Sequence, residues 1–129
     1  MVAIQVDSLT KRYGEHVAVD GISFQVEQGE AFGILGPNGA GKTTTLEMIE
    51  GLRKPDSGQV HVLGRPVWPD PRSVQSLIGV QLQSTTLFDR LTSRELLELF
   101  ARFYNRTDGA ERAQLVLEQV GLVLSLIHI

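Results

Sequence analysis

The chain has 129 residues, 42% of them hydrophobic, which is room for one modest domain or part of a larger one. A net charge of -3 supplies no basic face for general binding of nucleic acid or anionic lipid, and the absence of cysteine excludes disulfides, thiolate metal sites and a cysteine nucleophile. No stretch approaches the roughly 18 apolar residues needed to cross a bilayer, and Met1-Val2-Ala3-Ile4-Gln5 lacks the start of a signal peptide, so a cytoplasmic location is expected, with any membrane role through a partner subunit.

Val2 to Leu9 alternates apolar and polar residues, the pattern of a half-buried strand. Tyr13-Gly14-Glu15-His16 reads as a turn. Val17, Val19, Ile22, Phe24 and Val26 continue a period of two interrupted at Asp20-Gly21, which predicts one strand with a bulge or two short strands, closed by Gln28-Gly29. These early strands are expected to form a small antiparallel sheet. Val17-Ala18-Val19-Asp20 has the look of an apolar run ending in a catalytic aspartate, but it precedes the phosphate loop and is assigned to the sheet.

Ala31-Phe32-Gly33-Ile34-Leu35 is a short apolar run that predicts a strand buried on both faces in a parallel sheet. Gly36-Pro37-Asn38-Gly39-Ala40-Gly41-Lys42-Thr43 follows at once, a complete G-x-x-x-x-G-K-[ST] phosphate-binding loop, and Thr44 stands beside it. Gly36, Gly39 and Gly41 allow the backbone to turn its N–H groups inward as a nest for β- and γ-phosphates. A helix opening near Lys42 adds the positive end of its dipole, with Leu46 and Ile49 at helical spacing and Gly51 as its stop. Lys42 would reach the terminal phosphates, and the Thr43 hydroxyl would be a ligand of bridging Mg²⁺. The loop alone makes the chain a nucleotide binder; a glycine-rich turn with a surface lysine is the bland alternative.

Lys54-Pro55-Asp56-Ser57-Gly58 is turn chemistry, and Gln59 to Gly64 predicts a strand returning to the early sheet. Arg65 to Pro71 carries three prolines and is expected to be irregular, with Trp68 as a loop anchor. Ser76 to Leu82 is a candidate buried strand, and Gln83 to Leu91 a polar loop. Thr92-Ser93-Arg94-Glu95 is a capping box ahead of Leu96, Leu99, Phe100, Phe103 and Tyr104 at helical spacing. Asp108 and Glu111 open a second helix, whose stripe is Ala113, Leu117 and Val120 before Gly121. His16 and His61 are isolated and suggest no metal site.

From about Ile4 to Leu122 these residues resemble the ATP-binding domain of ABC (ATP-binding cassette) proteins. Leu46-Glu47-Met48-Ile49-Glu50-Gly51-Leu52 followed by Pro55-Asp56-Ser57-Gly58 is similar to the branch serving drug, polyketide or polysaccharide exporters. The resemblance implies an α/β fold: a P-loop NTPase core with an N-terminal antiparallel β-subdomain and the start of a helical subdomain, incomplete here. It implies ATP and Mg²⁺ as ligands. Tyr13, in Lys11-Arg12-Tyr13-Gly14, matches the aromatic that stacks on adenine, and Gln83 matches the Q-loop glutamine that approaches Mg²⁺ and the attacking water, with Gln81 as a rival assigned to a strand. Lys42 and Gln83 are the catalytic candidates. The implied partners are a transmembrane permease and a second ATP-binding subunit in a head-to-tail dimer, at the inner face of the cell membrane, with no nucleic acid.

The same resemblance implies a signature segment, an apolar strand ending in Asp-Glu and a switch histidine, and none of these occurs in the 129 residues. Residues 1–123 are accordingly expected to be a partial domain that binds nucleotide at most. Leu124-Ser125-Leu126-Ile127-His128-Ile129 departs from the family pattern and equals one translated frame of a transposase mosaic-end adapter, so residues 124–129 are expected to be a non-native tail and His128 not the switch histidine. Competing readings are a non-transport ABC ATPase of translation or DNA repair, a small P-loop kinase or GTPase, and a non-functional gene fragment.

Overall fold

A computed structural model describes residues 1–81 and 91–122, in two units that divide after Val80. Gln83 and residues 124–129 lie outside the described residues, as does Leu82.

In the first unit, Met1–Val80, strands β1 (Val2–Tyr13) and β2 (His16–Glu27) form a long hairpin, closed where Tyr13 pairs with His16 around the Gly14-Glu15 turn. Helix α1 (Lys42–Ile49) follows, then β3 (Ser57–Val62), the two-residue β4 (Arg65–Pro66) and the short helix α2 (Arg72–Gln75). The sheet runs β2-β1-β3-β4, antiparallel throughout. The expected antiparallel sheet and the return of the strand after Ser57 are both present; Arg65-Pro66, expected to be irregular, adds a short edge to it.

Alternation alone does not produce this core. Val6 and Leu9 are both buried although three residues apart, because the pairing of β1 shifts register between them and Ser8 takes a φ of 47°. The bulge is locked by the Ser23 hydroxyl, which accepts from Ser8 N–H at 2.8 Å. Opposite it Gly58 comes so close that an added Cβ would lie 2.4 Å from the Ser8 carbonyl oxygen, so a side chain there would displace the bulge.

Helix α1 lays Thr45, Met48 and Ile49 on the sheet residues Val6, Leu9, Val19, Val60 and Val62. Leu46, expected on that inner face, is nearly half exposed, because the buried stripe runs one residue earlier, through Thr45 and Met48. Gly51 ends the helix in the left-handed region (φ 73°), as expected, and Leu52 N–H returns to the Glu47 carbonyl at 2.8 Å. Gln75 donates to the Glu50 and Gly51 carbonyls, satisfying acceptors that a helix end leaves open. Val67 and Val74 are fully buried on this side, and Trp68 packs partly against the core, as a loop anchor should.

Two expected strands are absent among the described residues. Residues 31–35 make no strand pairing: Phe32 stacks on Phe24 of β2 with ring centroids 5.0 Å apart, and Leu35 is 94% exposed. A strand exists only by hydrogen-bonding to a neighbour, and no described strand lies alongside this apolar run. The described part of Ser76–Leu82 is turn and irregular chain, preceded by α2, with Leu77 and Val80 exposed for the same reason.

In the second unit, α3 (Ser93–Phe103) and α4 (Gly109–Gln119) pack together. The capping box is formed: Thr92 accepts from Glu95 N–H, and the Glu95 carboxylate accepts from Thr92 N–H at 2.8 Å. Leu96, Ala113 and Leu117 are buried, whereas Phe100, Phe103, Tyr104 and Val120 are exposed. Asp108 stands at the start of α4 but its carboxylate pairs with Arg106 and Arg112 instead of the helix N–H groups, and those guanidiniums hold its pKa well below the carboxylate range. Gly109 sits against Ala101, which sets how closely the two helices approach.

Candidate phosphate-loop site

The loop after residue 35 turns on two glycines in the left-handed region, Gly39 (φ 83°) and Gly41 (φ 87°). Gly36 is not one of them; a Cβ there would press on the Ala40 methyl at 3.3 Å, so its role is room and not handedness. Ala40 N–H closes the turn on the Pro37 carbonyl at 3.2 Å. Gly41 has the tightest fit in the unit: a Cβ would lie 2.1 Å from the Ala18 carbonyl oxygen of β2. The loop is thus seated on the β1–β2 hairpin.

Helix α1 begins at Lys42 with Gly41 as its N-cap and no side-chain cap. The N–H groups of a first turn have no intrahelical partner, and nothing acidic lies in this one to compete for their dipole. One turn further in, Thr45 anchors the loop from below, donating its N–H and its hydroxyl to the Gly41 carbonyl, each at 2.9 Å. Thr43 is exposed and Thr44 half-buried at the helix start, Pro37 and Asn38 are exposed at the loop, and the Lys42 ammonium folds back to donate to the Gly36 and Pro37 carbonyls. A lysine held by two neutral carbonyls can exchange them for phosphate oxygens, a charge-assisted and stronger pairing. Left-handed glycines, an uncapped helix start and a tethered cation fit a polyphosphate anion.

Tyr13, the expected adenine platform, lies at the end of β1, 43% exposed. It is flanked by cations: Arg53 Cζ is 5.5 Å and Lys11 Nζ 5.9 Å from the ring centroid. Arg53 pairs with Glu47 of α1, and that carboxylate raises its pKa. Lys11 pairs with Asp56 at 2.8 Å, and Asp56 also accepts from Arg12 N–H at 2.7 Å; Lys11 first and the Arg12 N–H second hold the Asp56 carboxyl below its ordinary range.

The structure therefore brings Gly36–Thr44 into one loop on α1 and gives Tyr13 a side-chain environment that the sequence did not disclose. Nothing in the sequence marks Arg53 and Glu47 as a pair, and Asp56 carries only a turn signal there. Glu47 and Arg53 are six apart across a helix stop, a spacing no periodicity marks, and the Asp56 carboxylate reaches Arg12 N–H across 44 residues, which its turn signal after Pro55 does not foretell. Gln83, the other catalytic and Mg²⁺ candidate, is among the residues not described; Gln81 is exposed and in no strand. Among the described residues no group of three or more His, Asp or Glu could hold a metal. No described helix is long and apolar enough to cross a membrane.

A family model described as "ABC transporter" matches residues 19–127. The chain is 46% identical over 110 residues to the Nod factor export ATP-binding protein I of Burkholderia pseudomallei (strain 1710b), an alignment covering 85% of this chain and 36% of that protein. It is 42% identical over 121 residues to the linearmycin resistance ATP-binding protein LnrL of Bacillus subtilis (strain 168), covering 92% of this chain and 39% of the other. Among solved structures, an ATP-binding subunit of an ABC transporter superposes with a TM-score of 0.79 at 27% identity, over 93% of this chain and 51% of that one. An ATP-binding cassette solved as a post-hydrolysis dimer with ADP and Pi gives 0.75 at 27% identity, over 92% and 57%. The chain thus spans little more than a third of the curated relatives and about half of the solved cassettes.

Proposed function

The chain belongs to the ABC transporter family, and from that premise we propose that it is the phosphate-loop portion of an ATP-binding subunit in which ATP binding and hydrolysis drive substrate export. The export direction is supported by the two relatives whose names speak of Nod factor export and of linearmycin resistance. The observation that carries the nucleotide reading is the seating of Gly36–Thr43, with left-handed Gly39 and Gly41 and Lys42 tethered over the loop at the mouth of an uncapped helix. The ABC ATPase family binds ATP.

In this reading the loop N–H groups and Lys42 hold the β- and γ-phosphates, and Tyr13 offers its exposed ring to the adenine, a contact worth about 1 to 3 kcal/mol where bases stack on aromatics. Thr43 and Gln83 are assigned to Mg²⁺, which would neutralise charge between the phosphates when bound. The partners are a membrane permease and a second ATP-binding subunit, the latter supported by the dimeric cassette among the solved structures; the working place is the cytoplasmic face of the membrane, through the permease.

Titration of the purified chain with MgATP, beside Lys42→Ala, tests this. Binding that the substitution abolishes, with no turnover, is the expected result, because the residues that complete hydrolysis in the resembling family are not among these 129. Absence of Lys42-dependent binding refutes the loop reading, and robust Lys42-dependent turnover refutes the assignment of hydrolysis to other segments.

A further inference from the structure

We propose that Arg53, held by Glu47, is a positioning residue for the nucleobase: it backs the Tyr13 ring and couples it to the helix that carries Lys42. The inference rests on the nucleotide reading above and adds residues to it. Arg53 is fixed twice to the same partner, since its N–H donates to the Glu47 carbonyl at 3.1 Å and its guanidinium pairs with the Glu47 carboxylate. So tethered, the guanidinium lies 5.5 Å from the centre of the Tyr13 ring, within the range of a cation–π contact.

The opposite side of the same corner is also closed. Asp56 N–H donates to the Thr10 carbonyl at 3.0 Å, while its carboxylate takes Lys11 and the Arg12 N–H, tying the 53–56 turn along the last residues of β1. The strand just before the tyrosine is thus clamped by Asp56 and the ring is flanked by Arg53 and Lys11, yet 43% of the residue remains exposed for a planar ligand. An exposed tyrosine at the end of a hairpin would otherwise be ordered only when a base arrived, and that ordering would be taken from the binding free energy.

Glu47 lies five residues after Lys42 on α1, about 7.5 Å along a helix at 1.5 Å per residue. Through Glu47 and Arg53 the base platform and the phosphate cradle are set on one rigid element. Base affinity and phosphate affinity therefore respond to different side chains, which makes the idea separable from a general structural role. Arg53 and Glu47 are both partly exposed, so substitution leaves the core of the unit intact.

The test is calorimetric titration of the full 129-residue chain with MgATP and, separately, with inorganic triphosphate, for the native protein, Arg53→Ala, Tyr13→Ala, the double variant and Lys42→Ala. Arg53→Ala is expected to weaken ATP about two- to tenfold, the equivalent of one side chain no longer pre-ordered, to leave triphosphate affinity unchanged, and to have no further effect in the Tyr13→Ala background. Glu47→Ala should reproduce Arg53→Ala. Equal losses for ATP and triphosphate, an undiminished effect when Tyr13 is absent, or no effect at all would overturn it. Lys42-dependent triphosphate binding with ATP no tighter than triphosphate would sink the base platform while sparing the loop; loss of both ligands from the native chain would bring down the loop reading and this inference together.

Discussion

Replacing Gly41 by alanine should cost far more than replacing Gly39, although both glycines are left-handed and both belong to the loop motif. At φ 87° and φ 83° each substitution carries a similar conformational penalty, about 1 to 2 kcal/mol for an L side chain in that region. At Gly39 nothing lies within 4 Å of the added methyl, so the penalty ends there. At Gly41 the methyl would stand 2.1 Å from the Ala18 carbonyl oxygen, against about 3.3 Å for the closest C···O contacts. The loop must lift off β2, and the Gly41 carbonyl must leave the two bonds it accepts from Thr45, a buried residue. Stranding that hydroxyl or carbonyl costs a further amount of about 1 to 3 kcal/mol, for a total of about 2 to 5 kcal/mol against about 1 to 2 kcal/mol at Gly39. Urea denaturation of both variants, followed by MgATP titration in the absence of urea, reads the two effects separately. Equal stability of Gly41→Ala and Gly39→Ala would refute the claim that the loop is seated on the Ala18 carbonyl.

Two further outcomes follow from the packing and the charges. Met48, fully buried at the centre of α1's inner face, should cost about 2 to 5 kcal/mol when truncated to alanine, measured by the same urea transition; a loss below about 1 kcal/mol would mean that α1 does not rest on the sheet as described. Asp56 has its folded pKa lowered by Lys11 and the Arg12 N–H, so its contribution to stability is fully present above the ordinary carboxylate value of about 4 and is lost as pH falls through the lowered folded value. Thermal melts stepped downward from pH 6 should show Asp56→Asn less stable than native at pH 6 and the gap narrowing below about pH 4; a gap that widens with acid would contradict the pairing.

Features that depend on short-range backbone chemistry were legible in the sequence. The glycine turn at Gly39 and Gly41, the start of α1 at Lys42, its stop at Gly51, the capping box at Thr92 and the Tyr13–His16 hairpin turn each rest on residues within one or two turns of chain, and all are present. The fold class was legible through the resemblance to ABC cassettes, and the structure matches about half of such a cassette. Tertiary structure decided what depends on a distant partner. Residues 31–35 are as apolar as any strand, but hydrogen bonds between strands need a neighbour, and without one among the described residues the run is held by Phe32 on Phe24 instead. The bulge at Ser8, which turns Leu9 inward, depends on Ser23 and on a glycine fifty residues away. The environment of Tyr13 comes from Glu47, Arg53 and Asp56, brought to the end of β1 by α1 packing on the sheet and β3 pairing with β1; charge pairs formed across such separations leave no periodic trace in the chain.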